Sequence, residues 1–338
     1  MLNRRAFSAT LVSALAAPFV TRAIAQTSSD VRSLVEDLPQ LHAIMVQVGD
    51  EIVVAEAPRG PGLDRVANIK SCSKSIVALL TGSAISQGAI VGVDATLGSV
   101  APSLIPSDAT PGVAELTIED LLTMRAGLGS TSGGNYGAWV NSNDWVGFAL
   151  RQPMIATPGE RMIYSTGTTH VLGAALAVAT ADSLLEQART VLGRPLGIDI
   201  PAWPRGPEGF YMGGNEMALT PRAMLGIAVL MRDGGRFEGK QVIPYDWIQA
   251  SVQPHTRSPY SGLSYGYGWF LSDSGYIIAR GYGGQIIAAH PDRALAVAIT
   301  SDPNSPARSD GYFGRLMNLL GSCRECCGNC LTACSEHV

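Results

Sequence analysis

A serine and a lysine three residues apart form the first candidate for chemistry in this chain. Ser71 and Lys74 lie in the stretch SCSKS, residues 71–75, and only three of the chain's 24 basic residues are lysines. If the stretch begins a helix, the two side chains share one face. A lysine amine that burial keeps neutral near pH 7 can take the proton of a serine hydroxyl. The pair indicates a nucleophilic serine with its base, although a surface lysine near an ordinary serine fits the same short pattern.

Two later segments contain groups that could complete such a site. Tyr164 lies in the polar segment PGERMIYS, residues 158–165, just before a predicted helix. GYGGQ, residues 281–285, begins a predicted strand, and its glycines would let the backbone approach a substrate closely.

Five segments together resemble the serine β-lactamase, penicillin-binding protein and esterase superfamily, over about residues 35–320. They are SCSKS at 71–75, LTIEDLLTMRAGL from 116, PGERMIYS at 158–165, the run around GKQVIP at 237–247, and GYGGQ at 281–285. The resemblance implies an α/β (α+β) fold of the β-lactamase and transpeptidase type. In that fold an antiparallel sheet is flanked by helices and carries an inserted helical lobe.

The resemblance also implies the roles of individual residues. Ser71 would be the acylated nucleophile, with Lys74 and Tyr164 as its proton-transfer pair. In the third motif, the N–H of Gln285 would join the N–H of Ser71 in an oxyanion hole, where each donor contributes roughly 3 kcal/mol in the transition state. The residues implied on the oxyanion and substrate side are Tyr282, Gly283, Gly284, Gln285 and Thr166.

Two departures from the family pattern narrow the expected substrate. Thr166 stands where the second motif usually has asparagine, and Tyr282 stands where the third motif usually has a lysine or histidine. Arg280 is a possible substitute cation. These changes are similar to the esterase and amidase branches, including 6-aminohexanoate-dimer hydrolases. We therefore expect a small-molecule ester or amide substrate; β-lactamase activity, D-amino-peptidase activity and a binding protein without turnover remain alternatives.

The periodicity of the chain predicts strands at both ends and helices between them. A β-hairpin is predicted over 41–57, and residues 130–142, rich in Gly, Ser and Asn, are predicted to be a loop. Helices are predicted from 71 and over 116–129, 169–180, 220–233 and 311–320, and short strands between 265 and 302. We expect one lobe from about 35–70 and 215–322, and a helical lobe from about 71–214.

The N-terminus has the pattern of an export signal. Residues 1–25 carry Arg4-Arg5, a short apolar run and Ala23-Ile24-Ala25, which is typical of a cleaved twin-arginine signal peptide. A Sec signal or a membrane anchor is the alternative, but the apolar run is too short to span a bilayer easily. The hydrolase domain would then be 26–322, in the periplasm or secreted.

Charge and the remaining residue types limit the partners. The net charge is −4, and removing residues 1–25, with three arginines and no acid, leaves 21 basic against 28 acidic residues. This balance argues against nucleic acid and anionic membranes as partners. No histidine pair has zinc-ligand spacing, so we predict neither a metal site nor a cofactor. Nothing in the sequence indicates the oligomeric state.

Two further sequence patterns suggest other functions. GLSYG, residues 262–266, matches the nucleophile elbow of α/β-hydrolases, but it lacks the strand before it and the helix after it, so we interpret it as a turn. Residues 323–338 form a cysteine-rich tail that could bind zinc or copper, be a disordered appendage or result from a reading-frame slip. The apolar pattern stops at Leu320, so the tail is expected to bury little.

Overall fold

The computed structural model describes residues 31 and 33–335, with side chains described as far as Cys323. The predicted signal peptide and the end of the tail lie outside these residues. The strands are β1 Leu41–Val48, β2 Glu51–Glu56, β3 Ala67–Asn68, β4 Ala218–Leu219, β5 Arg236–Phe237, β6 Lys240–Gln241, β7 Thr256–Arg257, β8 Ser264–Tyr265, β9 Phe270–Leu271, β10 Ile277–Gly281, β11 Gln285–His290 and β12 Leu295–Ser301. Eight of them form one antiparallel sheet in the order β2-β1-β12-β11-β10-β9-β8-β7. Two small ribbons pair β3 with β4 and β5 with β6.

The sheet joins the two ends of the chain. β1 pairs with β12, with Ile44 opposite Ile299, so the predicted sheet built from both ends is confirmed. The predicted hairpin is β1 and β2, joined at Gly49, whose φ of 56° is a conformation that glycine adopts without strain. β11 and β12 are buried along their whole length because helices cover both faces of the sheet.

Most of the helices lie between β2 and β7 in the chain. They are α1 Ser73–Ser86, α2 Leu97–Val100, α3 Ile118–Leu122, α4 Tyr136–Val140, α5 Trp145–Leu150, α6 Thr166–Thr180, α7 Leu184–Ala188, α8 Arg194–Leu196, α9 Pro221–Arg232, α10 Tyr245–Ser251 and, after the sheet, α11 Tyr312–Ser335. One face of the sheet packs on α9 and belongs to a core that extends through α1 and α6. The other face packs on α11 through Phe313, Leu316 and Leu319.

Side-chain and backbone interactions at its two ends set the length of α3, and its C-terminal end differs from the prediction. Thr117 caps α3 by accepting from the Asp120 N–H at 3.0 Å, while the Asp120 carboxylate accepts from the Thr117 N–H, the reciprocal arrangement of a capping box. The helix predicted over 116–129 nevertheless stops at Leu122. Met124 has a φ of 61°, a left-handed conformation that ends the helix.

Three other sequence predictions need correction. Residues 130–142 are not all loop, because Tyr136–Val140 form α4 around the fully buried Trp139. The closing helix does not stop at 320 but continues as α11, and Cys323 is buried beside Leu320 in the core, so the proposed tail boundary falls inside a helix. In GLSYG, Ser264 lies in strand β8 rather than a turn.

In the described part of the chain, no single helix has the length and apolar composition to cross a membrane. The helices over Thr166–Thr180 and Leu184–Leu196 reach that length together, but they meet at a bend of 84°, and most of α6 is buried in the protein.

Candidate active site

Ser71 lies in a tight turn that leads into α1. The turn is a 3₁₀ helix over Lys70–Cys72, and Lys70 has a φ of 51°, unusual for a residue with a side chain. Asn68 Oδ1 accepts from the Lys70 N–H at 2.9 Å, and the Ser73 hydroxyl donates to the Lys70 carbonyl at 2.6 Å. These two bonds hold the strained residue and therefore fix the position of Ser71.

Lys74 lies one helical turn after Ser71 and is almost completely enclosed, with 3% of its surface exposed. Its Nζ lies 3.1 Å from Ser71 Oγ and donates to the Gly214 carbonyl at 2.6 Å. Burial lowers the pKa of Lys74 to about 7, because the charged form loses its hydration. A substantial fraction of the amine is therefore neutral at pH 7, as a base for Ser71 requires.

Tyr164 stands on the other side of the pair. Its ring centre lies 4.9 Å from Lys74 Nζ, and its hydroxyl is hydrogen-bonded with Ser71. Burial raises the pKa of Tyr164 to about 12, so its hydroxyl stays protonated over the physiological range. The structure therefore brings together Ser71, Lys74 and Tyr164, although 90 residues separate Lys74 from Tyr164 in the chain.

A cluster of hydroxyl groups joins the start of α6 to the loop before α4. Thr166 Oγ1 lies 3.4 Å from Lys74 Nζ and 2.9 Å from Ser132 Oγ. The Thr166 N–H donates to Ser132 Oγ at 2.8 Å, and the Thr131 hydroxyl accepts from the Gly167 N–H at 2.7 Å. These bonds position Thr166 against the amine of Lys74.

A cavity of about 1000 Å³ opens above these groups. Of the residues predicted from sequence, Ser71, Tyr164, Thr166 and Tyr282 line it, while Lys74 lies beneath its floor. The volume is at the upper end of the range for small-molecule sites. Ser264, the alternative nucleophile, does not line this cavity.

The third motif forms the turn between β10 and β11. The Gly284 N–H donates to the Gly281 carbonyl at 3.2 Å, and Gly283 has a φ of 81°, as a type II turn requires at its third position. A Cβ on Gly281 would lie 2.3 Å from the carbonyl oxygen of Ile69, two residues before the nucleophile. The turn therefore brings Gly281 and Tyr282 against the segment that holds Ser71.

Gln285, whose N–H the family resemblance implies as an oxyanion donor, does not line the cavity. Gln285 is fully buried, and its side chain exchanges hydrogen bonds with the backbone of Ser301 at 2.8 and 3.1 Å. Gly283 and Gly284 also do not line the cavity. Gly281 and Tyr282 are the residues of this turn that line the cavity, and the turn's own hydrogen bond is donated by Gly284 and not by Tyr282.

Sequence analysis missed a polar group on the cavity wall. Lys70 Nζ pairs with the Glu216 carboxylate at 3.2 Å, and Asn68 Nδ2 donates to the same carboxylate at 2.6 Å. Asn215 Nδ2 donates to the Tyr136 hydroxyl at 2.9 Å. Since about 146 residues separate Lys70 from Glu216, no local pattern could have revealed the group. The one local feature is the Gly-Gly-Asn-Glu segment, in which Glu216 takes a φ of 68°.

Arg280 lines the cavity on the side of the third motif. Its guanidinium donates to the Ser309 hydroxyl at 3.1 Å and the Ala307 carbonyl at 3.0 Å, and it lies 3.4 Å from the ring centre of Phe313. Burial lowers the pKa of Arg280 to about 10, which still leaves it charged at pH 7. The side chain is thus fixed against the 307–313 segment while one side of it faces the cavity.

Comparison with known proteins identifies the family to which the chain belongs. The family model described as Beta-lactamase matches residues 31–320, so the chain belongs to the Beta-lactamase family. Together with its structural neighbours, this places it among the β-lactamase-related hydrolases. Among curated proteins, the sequence comparison finds no match.

Several solved structures share the fold. One, from Bacillus anthracis and assigned as a 6-aminohexanoate-dimer hydrolase, has a TM-score of 0.74 at 17% identity over 87% of this chain and 81% of that one. EstCE1, described as a hydrolase with promiscuous acyltransferase activity, has a TM-score of 0.72 at 16% identity over 91% and 99%. A family VIII carboxylesterase has a TM-score of 0.68 at 17% identity over 88% and 97%. At these identities the likeness shows the fold alone.

Proposed function

We propose that the protein hydrolyses an ester or amide through an acyl-enzyme formed on Ser71. The observation that carries this proposal is the Lys74 amine, which lies 3.1 Å from Ser71 Oγ and has its pKa lowered to about 7 by burial. A neutral amine at this distance can accept the serine proton as the oxygen attacks a carbonyl. The family membership and the hydrolase and carboxylesterase neighbours support the same chemistry.

In the proposed acylation, Lys74 takes the proton of Ser71 while Ser71 Oγ attacks the substrate carbonyl. The negative charge that forms on the carbonyl oxygen is met by the N–H groups of Ser71 and Tyr282. Tyr164, protonated and hydrogen-bonded with Ser71, donates to the leaving group when that group needs a proton. Water then attacks the acyl-enzyme, with the same groups acting in reverse, and releases the carboxylic acid.

The shape and charge of the cavity favour a sizeable ester without a required carboxylate. A volume of about 1000 Å³ accepts a molecule much larger than a short-chain ester. Tyr282, at the position where the family usually has a cation, is uncharged. Labelling with a serine-reactive fluorophosphonate, followed by a screen of esters, linear amides and D-amino-acid peptides, tests this function. Ser71→Ala should abolish labelling and turnover; a labelled and active Ser71→Ala protein would refute it, as would activity lost through Ser264→Ala instead.

A second candidate function is hydrolysis of a β-lactam or a D-amino-acid amide that carries a carboxylate. The observation in its favour is Arg280, a largely buried cation at the cavity that pairs with no carboxylate in the part of the chain the structure describes. Buried charges are usually paired, so a substrate carboxylate could supply the missing partner. Comparing nitrocefin with its methyl ester, in the natural protein and in Arg280→Gln, tests this function. If Arg280 binds the carboxylate, the natural protein should prefer nitrocefin over the methyl ester, and Arg280→Gln should lose that preference.

We further propose that the protein works in the periplasm or outside the cell. Support comes from residues 1–25, with their paired arginines and alanine cleavage pattern. Cell fractionation of the natural chain and of a variant with Arg4 and Arg5 replaced by lysine tests this. Retention of the variant in the cytoplasm is expected, and equal export of both would argue for the Sec route.

A further inference from the structure

The enclosure of Lys74 raises the question of how its proton reaches solvent. With 3% of its surface exposed, Lys74 has little direct contact with bulk water. Its hydrogen-bond partners are Ser71 Oγ, the Gly214 carbonyl and Thr166 Oγ1. A carbonyl oxygen has no proton to pass on, and once Ser71 is acylated its oxygen has none either. Of these three partners, only the Thr166 hydroxyl can then both accept a proton and donate one.

The Thr166 hydroxyl is connected to the cavity by one more group. Its Oγ1 lies 2.9 Å from Ser132 Oγ, and Ser132 is partly exposed and lines the cavity, whereas Thr166 is almost fully buried. In one orientation Lys74 donates to Thr166, Thr166 donates to Ser132, and the Ser132 hydroxyl donates to a molecule in the cavity. If the donor and acceptor exchange roles in all three hydrogen bonds, a proton moves inward from the cavity to Lys74.

We propose that Thr166 and Ser132 form a relay that moves protons between Lys74 and the cavity, with Ser132 as its outer end. This inference rests on the proposed function of Ser71 and Lys74. Only a proton is transferred: the one that Lys74 took from Ser71 leaves the amine, and an equal proton leaves Ser132 for the cavity. Ser132 acts through Lys74 and is a positioning residue for the reaction.

Backbone N–H groups fix the position of Ser132 relative to Thr166. The Thr166 N–H donates to Ser132 Oγ at 2.8 Å, which leaves the hydroxyl proton of Ser132 available. The Ser132 N–H donates to Ser130 Oγ at 3.0 Å, and the Ser130 hydroxyl donates to the Tyr164 carbonyl at 2.7 Å. The loop with Ser132 is therefore tied to the segment that carries the proton donor Tyr164.

The leaving group determines how strongly turnover depends on such a relay. An alkoxide needs a proton to leave, which Tyr164 donates; the Tyr164 phenolate that remains can then accept the proton of the attacking water, so no proton has to leave the site before deacylation. p-Nitrophenolate leaves as an anion, so the proton stays on Lys74 and must exit before Lys74 can serve as a base for deacylation. The relay is therefore needed more for p-nitrophenyl butyrate than for ethyl butyrate, which share one acyl group.

The test measures kcat for both esters in the natural protein and in Ser132→Ala, Thr166→Val and Ser132→Thr. For Ser132→Ala and Thr166→Val, the ratio of the p-nitrophenyl to the ethyl rate should fall at least about tenfold, and a burst of p-nitrophenolate should appear before slow turnover. Ser132→Thr, which keeps the hydroxyl, should restore most of the ratio. Ser107→Ala, in an exposed position away from the cavity, is the matched control.

The outcomes separate the relay from the proposed function. A ratio within twofold of the natural protein in Ser132→Ala would overturn the relay. So would an equal loss on both esters that Ser132→Thr does not rescue, because that pattern indicates a structural role. Turnover that survives Ser71→Ala would instead refute the acyl-enzyme on which the relay depends.

Discussion

Gly281 lies directly against Ile69, so closely that a Cβ on Gly281 would come within 2.3 Å of the Ile69 carbonyl oxygen. Ile69 precedes the turn that carries the nucleophile, and Gly281 precedes Tyr282, the proposed backbone donor. This contact therefore packs together the two segments whose N–H groups are proposed to form the oxyanion hole. Because the obstructing atom belongs to the backbone, a side chain at 281 must displace one of the two segments.

Gly281→Ala should therefore reduce catalysis without abolishing folding. We expect kcat/KM for p-nitrophenyl butyrate to fall about 10²- to 10³-fold, the cost of losing one oxyanion donor. Gly137→Ala is the control, because a Cβ there meets nothing within 4 Å. Steady-state kinetics and a melting curve for each variant check the prediction. An active Gly281→Ala protein would show that the 281–282 backbone does not set the oxyanion hole.

The pH dependence of acylation should report the state of Lys74. Its pKa is lowered to about 7 by burial, and the neutral amine is the base, so the rate should rise with pH and level off above that value. Tyr164, with its pKa raised to about 12, should cause no decline until strongly alkaline pH. Pre-steady-state rates of p-nitrophenolate release between pH 5 and pH 10 provide the measurement.

Two lysine variants make this assignment specific. Lys74→Arg should lose nearly all activity at every pH, because a guanidinium stays charged and cannot accept a proton. Lys240→Arg, at an exposed position in β6, is the matched control and should keep the natural profile. A midpoint that persists near 7 in an active Lys74→Arg protein would assign the titration to another group.

Much of the fold and part of the site were predictable because their determinants are local in the chain. The hairpin over 41–57, the helix after Ser71 and the cap at Thr117 each follow from residue spacing and side-chain type. The cluster of Ser71, Lys74 and Tyr164 was found through the family resemblance, since the pairing of Lys74 with Tyr164 depends on how α1 packs against α6.

The failures share a physical cause, which is that tertiary contacts outweighed local composition. Residues 136–140 look like loop but form a helix because Trp139 is buried against Trp145 and His170. The family resemblance implied Gln285 as an oxyanion donor, but after the type II turn at Gly283 this residue begins strand β11 and its side chain bonds to the backbone of Ser301. Ser132 gave no signal, because its importance comes from a 2.9 Å contact with a residue 34 positions away.

The closing helix should contribute to the stability of the sheet. Leu320 is completely buried in the core between α11 and the sheet, and its carbonyl accepts a hydrogen bond from the Tyr276 hydroxyl. Leu320→Ala should lower the free energy of unfolding by about 2–5 kcal/mol, through lost burial and the cavity left behind. Asn318→Ala, on the exposed side of the same helix, should change it by less than about 0.5 kcal/mol. Urea unfolding of both variants measures the difference, and equal values would mean that α11 does not pack as described.

Ester hydrolysis should exceed β-lactam hydrolysis by a wide margin. A β-lactam such as nitrocefin carries a carboxylate, and a charged hydrogen bond to it contributes roughly 1.5–3 kcal/mol, which corresponds to about 10- to 150-fold in rate. Tyr282 offers no charge at the usual position, and the Arg280 guanidinium is already held by Ser309 and Ala307. A neutral ester needs only Ser71, its proton path and the oxyanion donors.

The measurement compares kcat/KM for p-nitrophenyl butyrate and for nitrocefin, with expected values at least about 100-fold apart. Arg280→Gln serves to interpret the opposite result. If nitrocefin is hydrolysed as fast as the ester and Arg280→Gln removes only that activity, Arg280 binds the carboxylate in spite of its contacts with Ser309 and Ala307. The second candidate function would then replace the first. If Arg280→Gln slows both substrates alike, Arg280 acts by holding the 307–313 segment at the cavity wall, and carboxylate recognition must come from elsewhere on that wall, where Arg308 is the next cation.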